Sequence, residues 1–294
     1  MTGRVIKTHG GYYFVKSNGR IIRCYARGKL RLQVHRLVAG DLVNFTIVDE
    51  EENEGVVEEV LPRKNQLIRP PVANIDQVLI VFAFTQPEPV PILIDRMLVV
   101  IGAAGLKTAL CFNKSDLVTK EEAQRLTSIY KNTGYPIILT SAKTGKGHED
   151  IMNFLEGKVS IFSGPSGVGK SALLNFINPE FDLEIGELSS KISRGKHTTR
   201  LVQFLPVGNE GLVADTPGFT SLSLQGISLE ELGNLFPEIA RLSGKCRFAD
   251  CSHRSEPGCV VHEALQTNEI QESRYESYLK FYEEIQMTDE DYKR

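Results

Sequence analysis

A chain of 294 residues, 41% apolar and 24% charged, has the bulk for two or three domains that each bury a core, and its composition is that of an ordinary folded protein. No run approaches the roughly 20 continuous apolar residues of a membrane span, and the opening MTGRVIKTHGG lacks the apolar centre of a secretory signal, so a cytoplasmic protein is expected, with no membrane partner. The net charge of −3 hides an asymmetry: nine Lys/Arg residues from Arg4 to Arg36 precede the first acid, Asp41, whereas the tail from Glu263 is acid-rich.

Residues 1–70 read as short strands. RVIKTHGGYYFVKS, RIIRCYAR, DLVNFTIVD and GVVEEVLP set β-formers between Gly, Asn and Asp turns. A five-stranded barrel of the OB or SH3-like kind is the economical solution, because closure removes unpaired edges. Arg23, Tyr25, Arg27, Lys29 and Arg31 would give it a face for single-stranded nucleic acid, with Tyr25 as a stacking surface. The other reading of this basic head is the solvated surface of a small β-domain. IRPPVANID follows as a linker, since paired prolines continue neither helix nor strand.

Over 71–222 the rhythm changes to alternating strands and helices. QVLIVFAF, KTALCFN, PIILTSA, KVSIFSG, LVQFLPV and GLVADTPG read as strands. PILIDRMLVVIGAAG, KEEAQRLTSIYKNTG, HEDIMNFLEG and KSALLNFI read as helices, which makes a parallel-sheet α/β domain. The strand KVSIFSG runs into Gly164-Pro165-Ser166-Gly167-Val168-Gly169-Lys170-Ser171, a phosphate-binding loop that opens a helix. Its glycines let backbone N–H groups approach a β-phosphate, Lys170 would bridge β- and γ-phosphate oxygens, and the Ser171 hydroxyl would ligate magnesium.

Three companion motifs also end strands. Asp215-Thr216-Pro217-Gly218 offers a carboxylate that reaches magnesium through water and the Gly218 N–H for the γ-phosphate. Asn113-Lys114-Ser115-Asp116 places a carboxylate where it accepts two hydrogen bonds from guanine, a pattern adenine does not offer. Ser141-Ala142-Lys143 adds a loop whose backbone N–H meets guanine O6. Together they describe a site for GTP as substrate and GDP as product. The base motifs come before the phosphate loop, so the domain is circularly permuted: the chain enters at the usual fourth strand and leaves after DTPG.

Residues 223–294 read as mostly helical. SLEELGNLFPEIARLSG is a helical piece, and Ile270, Tyr275, Tyr278, Leu279, Tyr282 and Ile285 give NEIQESRYESYLKFYEEIQ an apolar face. Between them Cys246, Cys251, His253 and Cys259 make a closed structural zinc shell, with His262 as the alternative fourth ligand. Surface cysteines with an incidental histidine are the competing reading. Cys24 and Cys111 sit in strands and are expected in cores.

The barrel, the permuted motif order and the Cys-x4-Cys-x-His-x5-Cys segment together resemble the bacterial family of small-subunit-dependent GTPases, RsgA, over essentially the whole chain. The resemblance implies an OB fold, one structural zinc per chain, and GTP hydrolysis stimulated by the small ribosomal subunit and its rRNA during late assembly; a monomer is expected. It also marks Gly195-Lys196-His197-Thr198-Thr199 as the first switch, with Thr198 or Thr199 closing on magnesium and Thr199 the named ligand. Phe219 stands where a water-positioning glutamine is common, and an apolar ring orients no water. Gly167 replaces the asparagine of potassium-activated GTPases, which weakens a potassium-dependent mechanism. His197 is then the polar candidate for the catalytic position, or else a loop histidine without a role. An RNA-binding checkpoint in which hydrolysis is incidental is the alternative function, and Asp116 argues against an ATPase.

Overall fold

The structure, a computed structural model, describes residues 1–28, 37–67, 71–181, 202–215 and 222–292. The chain divides into two compact units, Met1–Leu79 with Gly147–Thr220, and Ile80–Lys146 with Ser221–Arg294.

In the first unit, strands β1 (Thr2–His9), β2 (Tyr12–Ser17), β3 (Arg20–Ala26), β4 (Leu42–Asp49) and β5 (Glu54–Val60) close into a barrel in the order β1-β2-β3-β5-β4. Gly10-Gly11 and Asn18-Gly19 turn the first two hairpins with positive φ at both central residues, the geometry whose twist matches the strands it joins. β3 pairs parallel to β5, which selects the Greek-key barrel of the OB type. Val5, Val15, Ile22, Cys24, Val43, Phe45 and Val57 fill its interior. Arg23 and Tyr25 alternate outward on β3, and Arg27 is exposed beyond it. Lys29 and Arg31 lie outside the described residues.

The barrel is less positive than its composition implies. Arg20 bonds Glu50, Arg23 bonds Glu54 and lies 5.3 Å from the Tyr12 ring, and Arg4 turns inward to the carbonyls of Gly40 and Asn74. Strand pairing also flanks residues 68–70 of the linker, which themselves lie outside the described residues. β6 (Gln66–Leu67) and β7 (Val72–Ala73) pair with each other, and Arg63 holds the fully buried Asp41 with bonds of 2.6 and 2.8 Å.

The α/β sheet has six strands in the order β10-β9-β8-β11-β13-β12. β8 (Gln77–Ala83) is buried along its whole length and runs through the boundary between the units. The second unit continues with helix α1 (Pro91–Ala103), β9 (Lys107–Asn113), α2 (Lys120–Ser128) and β10 (Ile137–Leu139). The first unit takes up α3 (His148–Leu155), β11 (Val159–Ser163), α4 (Lys170–Ile177), β12 (Leu205–Val207) and β13 (Gly211–Asp215). Chain order runs outward from β8 through β9 to β10, whereas β12 lies at the far edge, antiparallel to the later strand β13.

Three elements are shorter than their patterns suggest. α2 stops at Ser128, where the backbone tightens to i→i−3 bonds from Ile129 to Thr133, and Tyr130 within these turns is completely buried. β10 ends at Leu139, where Thr140 and Ser141 leave the sheet edge to build a loop. Ahead of β12, the Phe204 N–H bonds the carbonyl of Ile6, so this stretch joins the barrel strand β1 instead of lengthening β12.

The rest of the second unit is helical: α5 (Leu229–Leu232), α6 (Pro237–Ala240), α7 (Val260–Gln266) and α8 (Glu272–Tyr292). Pro237 splits the single helical piece read over 228–244, since it cannot continue the preceding turn. Leu232, Phe236, Ile239, Val261, Phe281 and Ile285 form a core that includes Val99 of α1. Inside it Arg274, 1% exposed, donates to Asp95 and to Glu238 at 2.6 Å each and lies 4.6 Å from the Phe236 ring. Burial works against the Arg274 charge, and the two carboxylates outweigh it and hold its pKa above the ordinary value. Removing one member of a buried cluster strands the others, at about 3–5 kcal/mol. Arg274→Met is therefore expected to lower the urea midpoint by that equivalent with an unchanged slope; a loss under about 1 kcal/mol would show the charges to be uncoupled.

Candidate nucleotide and metal sites

The phosphate loop belongs to the first unit. β11, buried at all five positions, delivers the chain into Gly164–Gly169, and α4 starts at Lys170. Gly164, Gly167 and Gly169 have φ of 142°, 80° and 96°, backbone that side-chain-bearing residues rarely adopt. The Lys170 ammonium donates to the carbonyls of Gly164 at 2.9 Å and Pro165 at 2.8 Å, so the loop curls around its own cation. Asp215 pairs with Phe162 in the β11–β13 register, which puts the end of the DTPG strand alongside the residue two before Gly164. Gly218, Phe219, His197, Thr198 and Thr199 lie outside the described residues.

The base loops belong to the second unit. β9 ends in Asn113, 2% exposed, and Lys114 turns the chain with φ 61° into a single tight helical turn over Ser115–Leu117. Asn113 Oδ1 accepts from the Thr140 hydroxyl at 3.1 Å and from the Ala142 N–H at 3.4 Å. The Ser141 hydroxyl donates to Asp116 Oδ1 at 2.6 Å, and this bond holds the Asp116 carboxyl below its ordinary pKa. The Asn-Lys-Ser-Asp and Ser-Ala-Lys loops are thus one hydrogen-bonded object, with the Asp116 carboxylate ionised and exposed, and Lys143 exposed nearby in sequence. Lys114 Nζ donates to the Gln86 carbonyl. Thr140 is the residue the motif reading missed. Its signal in the sequence was a hydroxyl closing the apolar run Ile137–Leu139, and the structure buries it fully just past β10.

The cysteine cluster assembles as a compact site in the same unit. The ligand atoms of Cys246, Cys251, His253 and Cys259 all lie within 4.8 Å of one another, and His253 Nδ1 is 3.5 Å from both the Cys246 and Cys259 sulfurs. Tetrahedral bonds of roughly 2.3 Å to sulfur require ligand separations of roughly 3.8 Å, so three thiols and an imidazole here fit a four-coordinate metal. His262 is turned away and bonds the Tyr275 hydroxyl at 3.0 Å. Glu256 organises the loop between ligands: it accepts from the Ser252 N–H and hydroxyl and from the N–H groups of Arg254 and Ser255. Burial works to raise the Glu256 pKa, and these bonds outweigh it and hold the carboxyl well below its ordinary value. Tyr275 and Tyr278 donate at 2.7 Å to the carbonyls of His253 and Ser252, pinning the loop to α8.

With this geometry established, similarity identifies the chain. The model of the RsgA GTPase matches residues 60–225, and that of the RsgA N-terminal domain matches residues 2–57. The chain belongs to the RsgA GTPase family. The small ribosomal subunit biogenesis GTPase RsgA of Alkaliphilus metalliredigens is 44% identical over 283 residues, 96% of this chain and 97% of that protein. Its counterpart in Caldanaerobacter subterraneus is 45% identical over 283 residues, 96% of this chain and 95% of that protein. Among solved structures, YjeQ from Thermotoga maritima is similar with a TM-score of 0.81 at 41% identity, covering 97% of this chain and 98% of that one. YloQ, described as a circularly permuted GTPase, gives a TM-score of 0.79 at 36% identity, covering 98% and 95%. As an RsgA GTPase the chain is a GTP-hydrolysing enzyme with a permuted catalytic domain, preceded by a barrel and followed by a helical region with a Cys3His cluster. No helix among the described residues is long and apolar enough to cross a membrane.

Proposed function

We propose that this RsgA GTPase docks on the small ribosomal subunit as a monomer in the cytoplasm and hydrolyses GTP late in the assembly of that subunit, which stimulates the reaction. The observation that carries the reading is full-length similarity, at 44% identity, to a protein named for small-subunit biogenesis. The chain is read as three domains: an RNA-binding barrel (1–70), the GTPase (71–222) and a zinc-binding helical domain (223–294). Tyr12 and Tyr25 stand 43% and 40% exposed on the barrel, which suits stacking against unpaired bases.

Within the GTPase, Gly164 to Ser171 hold the phosphates, and Lys170 exchanges its loop carbonyls for phosphate oxygens. Asn113 and Lys114 shape the base loop, Asp116 reads guanine, and Ser141, Ala142 and Lys143 support it. Ser171 and Thr199 would hold magnesium, with Asp215 acting through water and the Gly218 N–H at the γ-phosphate; the metal supplies charge neutralisation at the transferred group. Thr198 and His197 complete the switch, with His197 placed to orient the attacking water. The Cys3His cluster holds one zinc in a closed shell that leaves no catalytic position.

Phe219 in the place of a water-orienting side chain makes the isolated enzyme slow. Single-turnover hydrolysis is expected at about 10⁻³ s⁻¹ without subunits, the scale of an unassisted small GTPase. Purified small subunits should accelerate it, and the acceleration should weaken as salt rises, because phosphate contacts release counterions. Equal rates with and without subunits would refute the proposal. His197→Ala should lose the acceleration and keep nucleotide affinity.

A further inference from the structure

Arg96, next to the buried Asp95 on α1, gathers partners from distant parts of the second unit. Its Nη1 donates to the Leu222 carbonyl at 3.2 Å and to Glu284 Oε1 at 2.8 Å, and its Nη2 donates to Glu284 Oε2. The guanidinium carbon lies 4.7 Å from the centre of the Phe281 ring. Only a planar guanidinium holds a carboxylate through two parallel bonds while also reaching a carbonyl and covering a ring.

Leu222 is what makes the arrangement consequential. It stands four residues beyond Gly218, on the stretch that carries the chain from the DTPG motif into the C-terminal helices. Just past it, Ser223 to Ile227 face Glu284, Ile285 and Thr288 of α8 across a cavity of about 370 Å³. Leu224 and Ile227 of this segment are themselves buried in the same core as Phe281 and Ile285, so the cavity lies beside packed anchor points. Arg96 adds a polar fastening at the Leu222 end of the segment. Its side chain is 21% exposed and that of Glu284 is 43% exposed, so this two-pronged ion pair lies at the solvent edge of the seam, unlike the sealed Arg274 cluster.

We propose that Arg96 is a positioning residue for stimulated hydrolysis: by holding the Leu222 carbonyl against Glu284 and Phe281, it couples the chain leaving the DTPG motif to helix α8. The inference rests on the proposed stimulation by the small subunit. Arg96 touches no reacting group. It acts by transmitting the setting of α8, and with it the metal-binding loop that Tyr275 and Tyr278 pin to α8, to the segment that follows the γ-phosphate motif.

The test is single-turnover GTP hydrolysis by the full chain, titrated with purified small subunits, for wild type, Arg96→Ala, Glu284→Gln and the double variant. Arg96→Ala should lose on the order of tenfold in the rate at saturating subunits, while its intrinsic rate, GDP affinity and half-saturating subunit concentration stay within about twofold. Glu284→Gln should lose less, because the Leu222 bond survives, and the double variant should match Arg96→Ala. Arg96→Lys should not recover the rate, since a point charge does not reproduce the fork. A stimulated wild type with equally stimulated variants overturns the coupling. So does a loss of stimulation that is accompanied by an equal loss of intrinsic rate and nucleotide affinity. An unstimulated wild type instead overturns the functional reading beneath it.

Discussion

Stripping the metal with a strong chelator is expected to unfold the region that follows residue 222. Cys259 is 3% exposed and belongs to the same core as Phe236, Tyr278 and Phe281, so the metal site and the helical core form one structure. The ligands come from a segment with little regular structure of its own: between Ala240 and Val260 no helix or strand forms, and the loop is held by Glu256, Tyr275 and Tyr278. Structural zinc contributes on the order of 10–16 kcal/mol of binding free energy at neutral pH, more than the whole stability of a typical domain. Cys251→Ser should bind less than one zinc per chain by elemental analysis and lose near-ultraviolet tyrosine signal, because Tyr275 and Tyr278 of α8 bond the loop. His262→Ala should keep its zinc, as His262 bonds Tyr275 outside the cluster. A Cys251→Ser protein that retains both metal and tyrosine signal would overturn the four-ligand shell, and a wild-type chain without zinc would remove the metal altogether.

Asp116→Asn should invert the choice of base. The Asp116 carboxylate is exposed, is held by Ser141 through one oxygen, and keeps its charge to low pH. A carboxylate accepts from both guanine N1–H and the exocyclic amine, whereas an amide presents a donor that clashes with the amine and suits the C2 oxygen of xanthine. Sites built around a specific hydrogen-bond pattern discriminate by on the order of 10⁴ or more, so the ratio of GTP to XTP affinity should change by about that factor. Fluorescent-nucleotide titration reads it directly. Since the Ser141 hydroxyl can also donate to an amide oxygen, the loop should survive the change. An Asp116→Asn variant that still prefers GTP would move guanine reading elsewhere.

Much of this architecture is legible in local sequence because the chemistry is local. Gly10-Gly11 and Asn18-Gly19 fix hairpins within a few residues, and the phosphate loop carries its own helix start at Lys170. The Cys3His set spans only Cys246 to Cys259, so its spacing alone brings the ligands together. What resists reading is long-range. Arg274 lies four residues after Ile270 and four before Tyr278, on the apolar face of α8, where a charged residue looks like an exception to the pattern. Its partner Asp95 is 179 residues away, and nothing in either neighbourhood announces the other. The early end of α2 is also unannounced: Tyr130 fits the helical pattern, yet the chain there tightens into i→i−3 turns. Charge counting misleads for a related reason, since Arg20 and Arg23 find Glu50 and Glu54 only once β3 pairs with β5.

The buried Arg274 also sets a schedule for the newborn chain. At about 5–20 residues per second, a ribosome delivers Arg274 roughly 10–35 s after Asp95. Until then the Asp95 carboxylate and Val99, both completely buried in the finished protein, have no permanent cover. The barrel strands are all delivered once residue 60 emerges, but the second unit is incomplete until the last helix of the chain arrives. A stop codon placed after residue 222 would therefore not yield a trimmed, working GTPase. It would release a chain whose second unit lacks the partners of Asp95 and Val99.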